Sequence, residues 1–472
     1  MSQVLIAGLG VTGEACARAL STLGYRVLVY EERDDLKHRE LATELNTLGI
    51  NVSFEIPEEI PPLVITSPGW KPDHPVLVAA QANGSQVMGE IEFSFNYYQQ
   101  QRVAGKNQER VWIGVTGTNG KTSTVGMVES ILKAAGKTAI ACGNVGTPVI
   151  EVLTSKEYFE YLVVELSSFQ LHWSTSLRLN AAALLNIDDD HLDWHGNFDN
   201  YLQAKLKIFH GAEQILINGD DPRLQGAIDS LEKRRELAKY TLQVPQYGEL
   251  GVVEDLLVDR AFTGAENIAT ELAQLSDINP PVPHNVSNGL AAAGLAMAVG
   301  IEPDAISKGL RNFTPGHHRI EMVLQKDGIS WVNDSKATNP HAANAAFAAF
   351  DSVIWIAGGL AKGADIEKLV KRRHQQIRAA ILIGTDRALI EKALLRHSPE
   401  TAIILVNEDY SLESVERSKH LMREVILAAG RIAITGDTVL LAPACASMDQ
   451  FQSYAERGEL FAEAVKELVG EE

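Results

Sequence analysis

The 472-residue sequence predicts an α/β protein of about three domains. Three observations carry this expectation. Strand-like and helix-like stretches alternate regularly along the chain. Two glycine-rich loops each fall between such a strand and such a helix. The alternation restarts after a polar stretch at 99–110 and again around Phe313-Thr314-Pro315-Gly316. The expected domains are therefore residues 1–93, 94–314 and 315–472. Hydrophobic residues make up 45% and charged residues 22% of the chain, which fits a globular core and excludes a disordered or fibrous protein.

In the first domain, residues 4–7 are an apolar run read as a buried strand. Residues 14–23 follow as a helix closed by Gly24, and residues 26–30 as a second strand. Residues 63–66 are a further short strand, stopped by the turn Ser67-Pro68-Gly69. The loop between the first strand and helix is Gly8-Leu9-Gly10-Val11-Thr12-Gly13, and Glu31 and Glu32 end the next strand about twenty residues on. That is a dinucleotide fingerprint on a Rossmann-like domain. Alone it favours NAD or FAD, but such a loop holds the pyrophosphate of any nucleotide diphosphate equally well. Arg33, directly after the acids, is a further polar contact.

The stretch 99–110 is expected to be a linker. The second domain opens with a strand at 111–115 that runs into Thr116-Gly117-Thr118-Asn119-Gly120-Lys121-Thr122 and then a helix at 121–135. Val125, Val128, Ile131, Leu132 and Ala135 share one face of that helix. Strand, loop and helix in this order are the context a P-loop requires. Its backbone N–H groups cradle phosphate oxygens, Lys121 reaches the β- and γ-phosphates, and Thr122 holds Mg²⁺. Val115 stands where the strict motif has its first glycine. Further strands are expected at 161–164, 181–187 and 215–218, and a helix at 285–299; residues 231–259 give no clear pattern. Glu165 ends one strand, and Asp188-Asp189-Asp190-His191 follows another. Acid and imidazole at two strand ends facing one P-loop suit Mg²⁺ or Mn²⁺, although singly each reads as a turn residue or a packed histidine.

The third domain carries expected strands at 330–333, 353–357, 379–383, 402–406 and 439–442, alternating with helices. This describes a second Rossmann-like domain with a mostly parallel sheet.

Lys plus Arg number 42 and Asp plus Glu 61, a formal charge of −19, so non-specific nucleic-acid binding is disfavoured. A small anion is held instead by local cations and backbone N–H groups. Cys16, Cys142 and Cys445 are too few and too scattered for a disulfide framework, which fits a reducing, cytoplasmic setting. No apolar run is long enough to span a bilayer, and the first basic residue is Arg18, so neither membrane insertion nor a signal peptide is expected.

Taken together, the motifs resemble those of the Mur ligases, ATP-dependent amide-bond-forming enzymes of peptidoglycan synthesis, and in particular the branch that adds D-glutamate. The resemblance runs nearly end to end. It includes both glycine loops, Ser67-Pro68-Gly69, Gly143-Asn144-Val145-Gly146, Glu165-Leu166-Ser167-Ser168-Phe169-Gln170-Leu171 and Asp190-His191-Leu192-Asp193. It continues through His318-Arg319-Ile320-Glu321, Asn333-Asp334-Ser335-Lys336-Ala337-Thr338-Asn339 and Pro443-Ala444-Cys445-Ala446-Ser447-Met448-Asp449-Gln450-Phe451. The Asn-Pro-Arg signature of relatives that add a diamino acid is absent.

The resemblance implies a first domain for the uridine nucleotide, a central ATPase and a third domain that helps bind ATP and D-glutamate. It implies phosphorylation of the carboxylate of UDP-N-acetylmuramoyl-L-alanine and attack on the acyl phosphate by the amine of D-glutamate. Residue by residue, it places Val11, Thr12, Glu31, Glu32, Arg33, Ser67, Asn144 and His191 at the UDP substrate. Gly117, Thr118, Asn119, Gly120, Lys121, Thr122, Asn285, Asn288, Arg319, Asp334 and Lys336 fall at ATP. Thr338, Lys362, Ser447, Met448 and Tyr454 fall at D-glutamate. Thr122, Glu165, His191 and Lys205 serve the metal, as two Mg²⁺ ions with Mn²⁺ an alternative, and Lys121, His191 and Lys205 are catalytic. Lys205 matches the lysine that this family carbamylates. The Glu31-Glu32-Arg33 stretch replaces the commoner Asp-Thr-Arg, and Val282 replaces a usual glycine before Pro283-His284-Asn285. Ser447 is expected at the start of a helix whose free N–H groups suit a carboxylate. A monomer is expected. The competing readings are a ligase with another acceptor, such as a polyglutamate synthase, an NAD-dependent oxidoreductase, and a non-enzymatic nucleotide-binding regulator.

Overall fold

The computed structural model describes residues 2–106 and 108–470. They form three sheets in two compact units. The first unit holds the chain up to Pro281 together with Asn285–Phe313. The second holds Val282–His284 and the chain from Thr314 on.

The first sheet contains β1 (Gln3–Ala7), β2 (Arg26–Tyr30), β3 (Asn51–Ser53), β4 (Leu63–Thr66) and β5 (Gln86–Gly89). All pair in parallel in the order β3-β2-β1-β4-β5. The chain reverses direction across β1 and β4, so the loops after these two strands open at one edge, where ligands bind such sheets.

The second sheet contains β6 (Val111–Thr116), β7 (Ala139–Gly143), β8 (Tyr161–Glu165), β9 (Ala181–Leu184), β10 (Gln214–Asn218), β11 (Ala238–Tyr240), β12 (Glu249–Val253), β13 (Leu256–Asp259) and β14 (Thr270–Gln274). Its order is β14-β13-β12-β11-β10-β9-β6-β8-β7, parallel from β7 to β12 and antiparallel at β12-β13-β14. β6 is the switch strand. Its alternate side chains enter opposite cores, Trp112 on one face and Ile113 and Val115 on the other. Each fully buried apolar side chain of this kind stabilises the fold by about 2 kcal/mol.

The first and second sheets are joined by the helix Glu90–Val103. The expected linker at 99–110 is thus corrected in its first part, since residues 99–103 continue this helix. Glutamines favour helix, and Glu92 in the first turn complements its dipole. The expected boundary between residues 93 and 94 falls inside the same helix.

In the second unit, β15 (Glu321–Lys326), β16 (Ile329–Asn333), β17 (Val353–Gly358), β18 (Ile377–Ile383), β19 (Ala402–Leu405) and β20 (Thr438–Leu441) follow the order β15-β16-β20-β17-β18-β19. Only β15 runs antiparallel, in a hairpin with β16. β20 lies between β16 and β17, so the turns after all three strands share one edge of the sheet. Among the described residues, no helix is long and apolar enough to cross a membrane.

Candidate functional site

The loop after β6 is tied down both by its neighbours and by its own Lys121. Thr118 N–H donates to the Asn186 carbonyl at 3.0 Å. Asn119 and Asn186 exchange two hydrogen bonds, Asn119 N–H to Oδ1 at 2.9 Å and Asn186 Nδ2 to the Asn119 carbonyl at 3.0 Å. Gly120 has φ +84°, and a Cβ there would stand 2.3 Å from Asn288 Oδ1. Only glycine meets both demands. Asn288 therefore lies directly against the loop, on the helix Pro283–Ala298. Asn285, one turn earlier, donates from Nδ2 to the Pro280 carbonyl at 3.1 Å. Lys121 and Thr122 open the helix Lys121–Ala134, and Lys121 Nζ donates back to the carbonyls of Gly117 at 2.9 Å and Thr118 at 3.0 Å.

Lys205, on the helix Phe198–Leu206, is 2% exposed. Its Nζ also donates to the Gly117 carbonyl, at 2.8 Å, and lies 4.9 Å from the centre of the Tyr201 ring. Burial, reinforced by the nearby Lys121 charge, pushes the Lys205 amine well below the usual lysine range; Asp190 and Glu165 oppose this only in part. Tyr201, which the sequence reading did not single out, also meets Thr118 Oγ1 at 3.0 Å.

Glu165 is 2% exposed at the end of β8. Its Oε1 accepts from Asn144 Nδ2 at 2.9 Å, while its buried Oε2 meets no hydrogen-bond donor among the described residues. A buried carboxylate oxygen left without a donor is costly unless a cation meets it. His191 has φ +52° and opens the short helix Leu192–His195. Its ring packs 4.7 Å from Phe169, which stacks on His195 and lies 4.9 Å from Trp194. Among the described residues, no three His, Cys, Asp or Glu side chains group as a metal site. The expected set of Thr122, Glu165, His191 and Lys205 contains only two such residues. Glu165, with one oxygen that meets no donor among the described residues, fits a site for a divalent cation.

At the edge of the first sheet, Val11 and Thr12 begin the helix Val11–Thr22, and Ser67 Oγ donates to the Gly8 carbonyl at 3.2 Å. Glu31 is buried and fully engaged. It accepts from Leu9 N–H at 2.7 Å and from Arg33 through its backbone N–H, Nε and Nη2 at 2.9 to 3.0 Å. Burial raises the Glu31 carboxyl, but these donors outweigh it and hold it at about 2. Glu31 thus braces the glycine loop from within, leaving Glu32 more open; its Oε2 meets His74 Nε2 at 2.8 Å. Trp194 Nε1 donates to the Gly69 carbonyl at 3.1 Å, and Lys71 Nζ to the Asp193 carbonyl at 2.8 Å. The turn after β4 is thereby linked to the turn carrying His191. Asn144 sits by Glu165, beyond β7.

In the second unit, the turn after β16 carries Asp334, Lys336 and Thr338. Asp334 accepts from Ile320 N–H at 3.2 Å, and burial pushes its carboxyl up to about 7 against the pull of this donor and of Arg319. Lys336 Nζ lies 3.6 Å from the centre of the Tyr454 ring, so a residue expected at ATP touches one expected at D-glutamate. Leu360 and Ala446 exchange two backbone hydrogen bonds of 2.9 Å, joining the Lys362 loop to the Ser447 loop. Lys362 has φ +50° and is exposed, as is Met448; Ser447 is buried. The expected helix start at Ser447 is corrected: residues 448–450 form a turn, and the helix begins at Tyr454, capped by Ser453. Leu-Ala-Pro-Ala before Ser447 and Phe451 after it are buried, so this segment is anchored as a loop.

Residues 2–89 match the family model of the Mur ligase MurD-like N-terminal domain, 115–296 that of the Mur ligase middle domain, and 318–445 that of the Mur ligase glutamate ligase domain. Over 475 residues the chain is 48% identical to the UDP-N-acetylmuramoylalanine–D-glutamate ligase of Thermobifida fusca (strain YX), covering 99% of each chain. It is 45% identical over 474 residues to the enzyme of the same name from Streptomyces coelicolor, covering 98% of each. Among solved structures, MurF from Acinetobacter baumannii superposes with a TM-score of 0.61 at 15% identity, covering 93% of this chain and 90% of that one, a likeness of fold.

Proposed function

This chain belongs to the Mur ligase family, and from that premise we propose that it joins D-glutamate to UDP-N-acetylmuramoyl-L-alanine with cleavage of ATP to ADP and phosphate, in cytoplasmic peptidoglycan precursor synthesis. What carries this reading is the convergence at the end of β6 of a phosphate loop, the Lys121 and Lys205 amines on one carbonyl, and Glu165 with a free oxygen. Mur ligases use ATP and Mg²⁺.

The carboxylate of the UDP substrate attacks the γ-phosphorus of ATP, and ADP leaves. The D-glutamate amine, having lost its proton, attacks the acyl carbon of the resulting acyl phosphate. Collapse of the tetrahedral adduct expels phosphate and leaves the amide. Lys121 turns from its own loop carbonyls to the β- and γ-phosphates, where its charge offsets the anion forming in transfer. Asn288, held against Gly120, positions the nucleotide, with Asn285 behind it. Thr122, Glu165, His191 and Lys205 are the residues that hold Mg²⁺, and the bound ion supplies positive charge where two anions meet.

Lys205 serves as a carbamate. Its neutral amine attacks the carbon of CO₂, a C–N bond forms, one proton passes to solvent, and a two-oxygen anion results. The lowered proton affinity of Lys205 supports this, because only the neutral amine is a nucleophile. The first domain holds the UDP substrate through Val11, Thr12, Ser67 and the 31–33 turn. In the second unit, Arg319, Asp334 and Lys336 bind ATP, and Thr338, Lys362, Ser447, Met448 and Tyr454 bind D-glutamate.

The test is an isotope transfer. With ¹⁸O in the alanyl carboxylate of the UDP substrate, one labelled oxygen should appear in released phosphate for each amide formed. Release of unlabelled phosphate would remove the acyl phosphate from the mechanism.

A further inference from the structure

The helix Tyr454–Leu468 contains a fully buried arginine that no binding or chemical step above requires. Arg457 is 0% exposed. Its Nε donates to Ser335 Oγ at 3.0 Å and its Nη2 to the Ser335 carbonyl at 3.0 Å. Nη1 and Nη2 both reach the Cys445 carbonyl at 3.3 Å. Among the described residues, these partners are carbonyls and a hydroxyl, and none is a carboxylate. Burial pulls the guanidinium down to about 10, with Cys445 and Asp449 acting the other way, so it stays charged at neutral pH. Burying an uncompensated cation is unfavourable, and its retention here follows from what its fork joins.

Ser335 lies inside the turn after β16, and Cys445 inside the turn after β20. Ser335 Oγ passes its own hydrogen on to the Tyr454 carbonyl at 2.7 Å, closing a ring between this turn and the start of the helix. The next residue, Gly458, completes the brace. Its carbonyl accepts from Asn333 Nδ2 at 3.0 Å, and a Cβ on it would stand 2.3 Å from His318 Nδ1. The two turns also meet directly, Ala444 N–H donating to the Ala337 carbonyl at 2.9 Å. One planar, five-donor side chain thus meets the Ser335 hydroxyl and buried carbonyls on two separate turns from one fixed plane, a geometry that the three rotating donors of an ammonium do not fix.

We propose that Arg457 is a positioning residue that locks the Asp334–Thr338 turn to the Cys445–Ser447 turn, and so sets the nucleotide contacts and the amino-acid contacts of this unit in register with one another. This rests on the reading above that Asp334 and Lys336 serve ATP, and Thr338 and Ser447 serve D-glutamate.

The experiment uses the full chain carrying Arg457→Lys, which keeps the charge and loses the fork, and Ser335→Ala, which removes only the hydroxyl that Nε meets. The KM for ATP, for D-glutamate and for the UDP substrate is measured for each, with ATP binding titrated directly in parallel. Arg457→Lys should raise the KM for ATP and for D-glutamate each about tenfold, leaving that for the UDP substrate within about twofold. Ser335→Ala should move the same two constants in the same direction by about threefold. A merely structural role would lower kcat with the folded fraction and leave every KM unchanged, and that result overturns the proposal. If Arg457→Lys does not fold, Ser335→Ala decides alone: unchanged KM values overturn the proposal, and a selective rise supports it. Failure of the functional reading shows separately, as a parent protein that makes no product from D-glutamate. In that case an ATP affinity equal in parent and variants overturns the clamp.

Discussion

A lysine amine held out of water gives up its proton far more readily than an exposed one, and Lys205 is held in that way, against the Gly117 carbonyl and beside a second lysine. Its reactivity is therefore a matter of position. Lys205→Ala should lower kcat by on the order of a hundredfold, and a small carboxylate such as acetate should restore part of it by presenting the anionic oxygen that the proposed carbamate would supply. Rescue that is absent across a range of carboxylates would remove the carbamate from the account. Lys121 differs in kind: it is only partly buried and donates to its own loop carbonyls, and its proposed role turns it to the phosphates of ATP. Lys121→Ala should abolish ATP turnover while equilibrium binding of the UDP substrate survives, because the site proposed for that ligand lies at the first sheet. Parallel loss of both functions would show that the loop supports the first domain rather than the nucleotide.

At the scale of elements, two joints inside the first unit carry expectations of their own. The turn after β4 and the helix Leu192–His195 are linked through Trp194 Nε1 and Lys71 Nζ. Trp194→Phe keeps the ring against Phe169 and deletes one hydrogen bond, worth about 1 kcal/mol. It should raise the KM for the UDP substrate about fivefold with little change in Tm, and an unchanged KM would make the link ornamental. The second joint is Glu90, at the start of the helix Glu90–Val103. It accepts from Ile150 N–H at 2.7 Å and from Ser94 Oγ at 2.9 Å, and its buried Oε2 meets no donor among the described residues. Burial pushes this carboxyl up to about 7, further raised by Glu151 and opposed by its donors. The stability it contributes when protonated is fully present below the unfolded value near 4.3 and is lost as pH rises through about 7, a span worth on the order of 3 kcal/mol. Glu90→Gln should thus have a higher Tm than the parent at pH 8, with the advantage shrinking toward pH 5. A pH-independent difference would contradict the buried-acid account.

The same elements explain what was legible in the sequence. The strands at 26–30 and 63–66 lie in a parallel sheet and read as short, mostly apolar runs, and the phosphate loop carries its own motif. β12, β13 and β14 were not legible, because an antiparallel extension with half-exposed strands interrupts the pattern. β15, a partly exposed hairpin strand, escaped for the same reason. Glu31 stood out correctly as an acid at a strand end, but its engagement by Leu9 and Arg33 depends on the folded loop. Asn186, Tyr201, Trp194 and Arg457 left no local signal, since each acts on a partner more than ten residues away in sequence.

For the whole molecule, a formal charge of −19 sets the central demand. Three anionic reactants must be held by a protein that repels them at long range, so every favourable contact has to be local. In the proposed site the three switch edges would supply such contacts: N–H groups and Ser67 after β1 and β4, two lysines and a phosphate loop around β6, and Lys336, Lys362 and Ser447 after the strands of the third sheet. The acceptor is the most exacting of the three, because D-glutamate brings two carboxylates and must arrive with a neutral amine. The direct measurement is amide product formed from UDP-N-acetylmuramoyl-L-alanine and ATP with D-glutamate, L-glutamate, L-lysine or L-alanine supplied in turn. Product with D-glutamate at a kcat/KM at least about a hundredfold above any other amino acid, matched by equal release of phosphate, is the expected result. Faster product with L-lysine or L-alanine, or phosphate release that does not depend on the amino acid, would contradict the account.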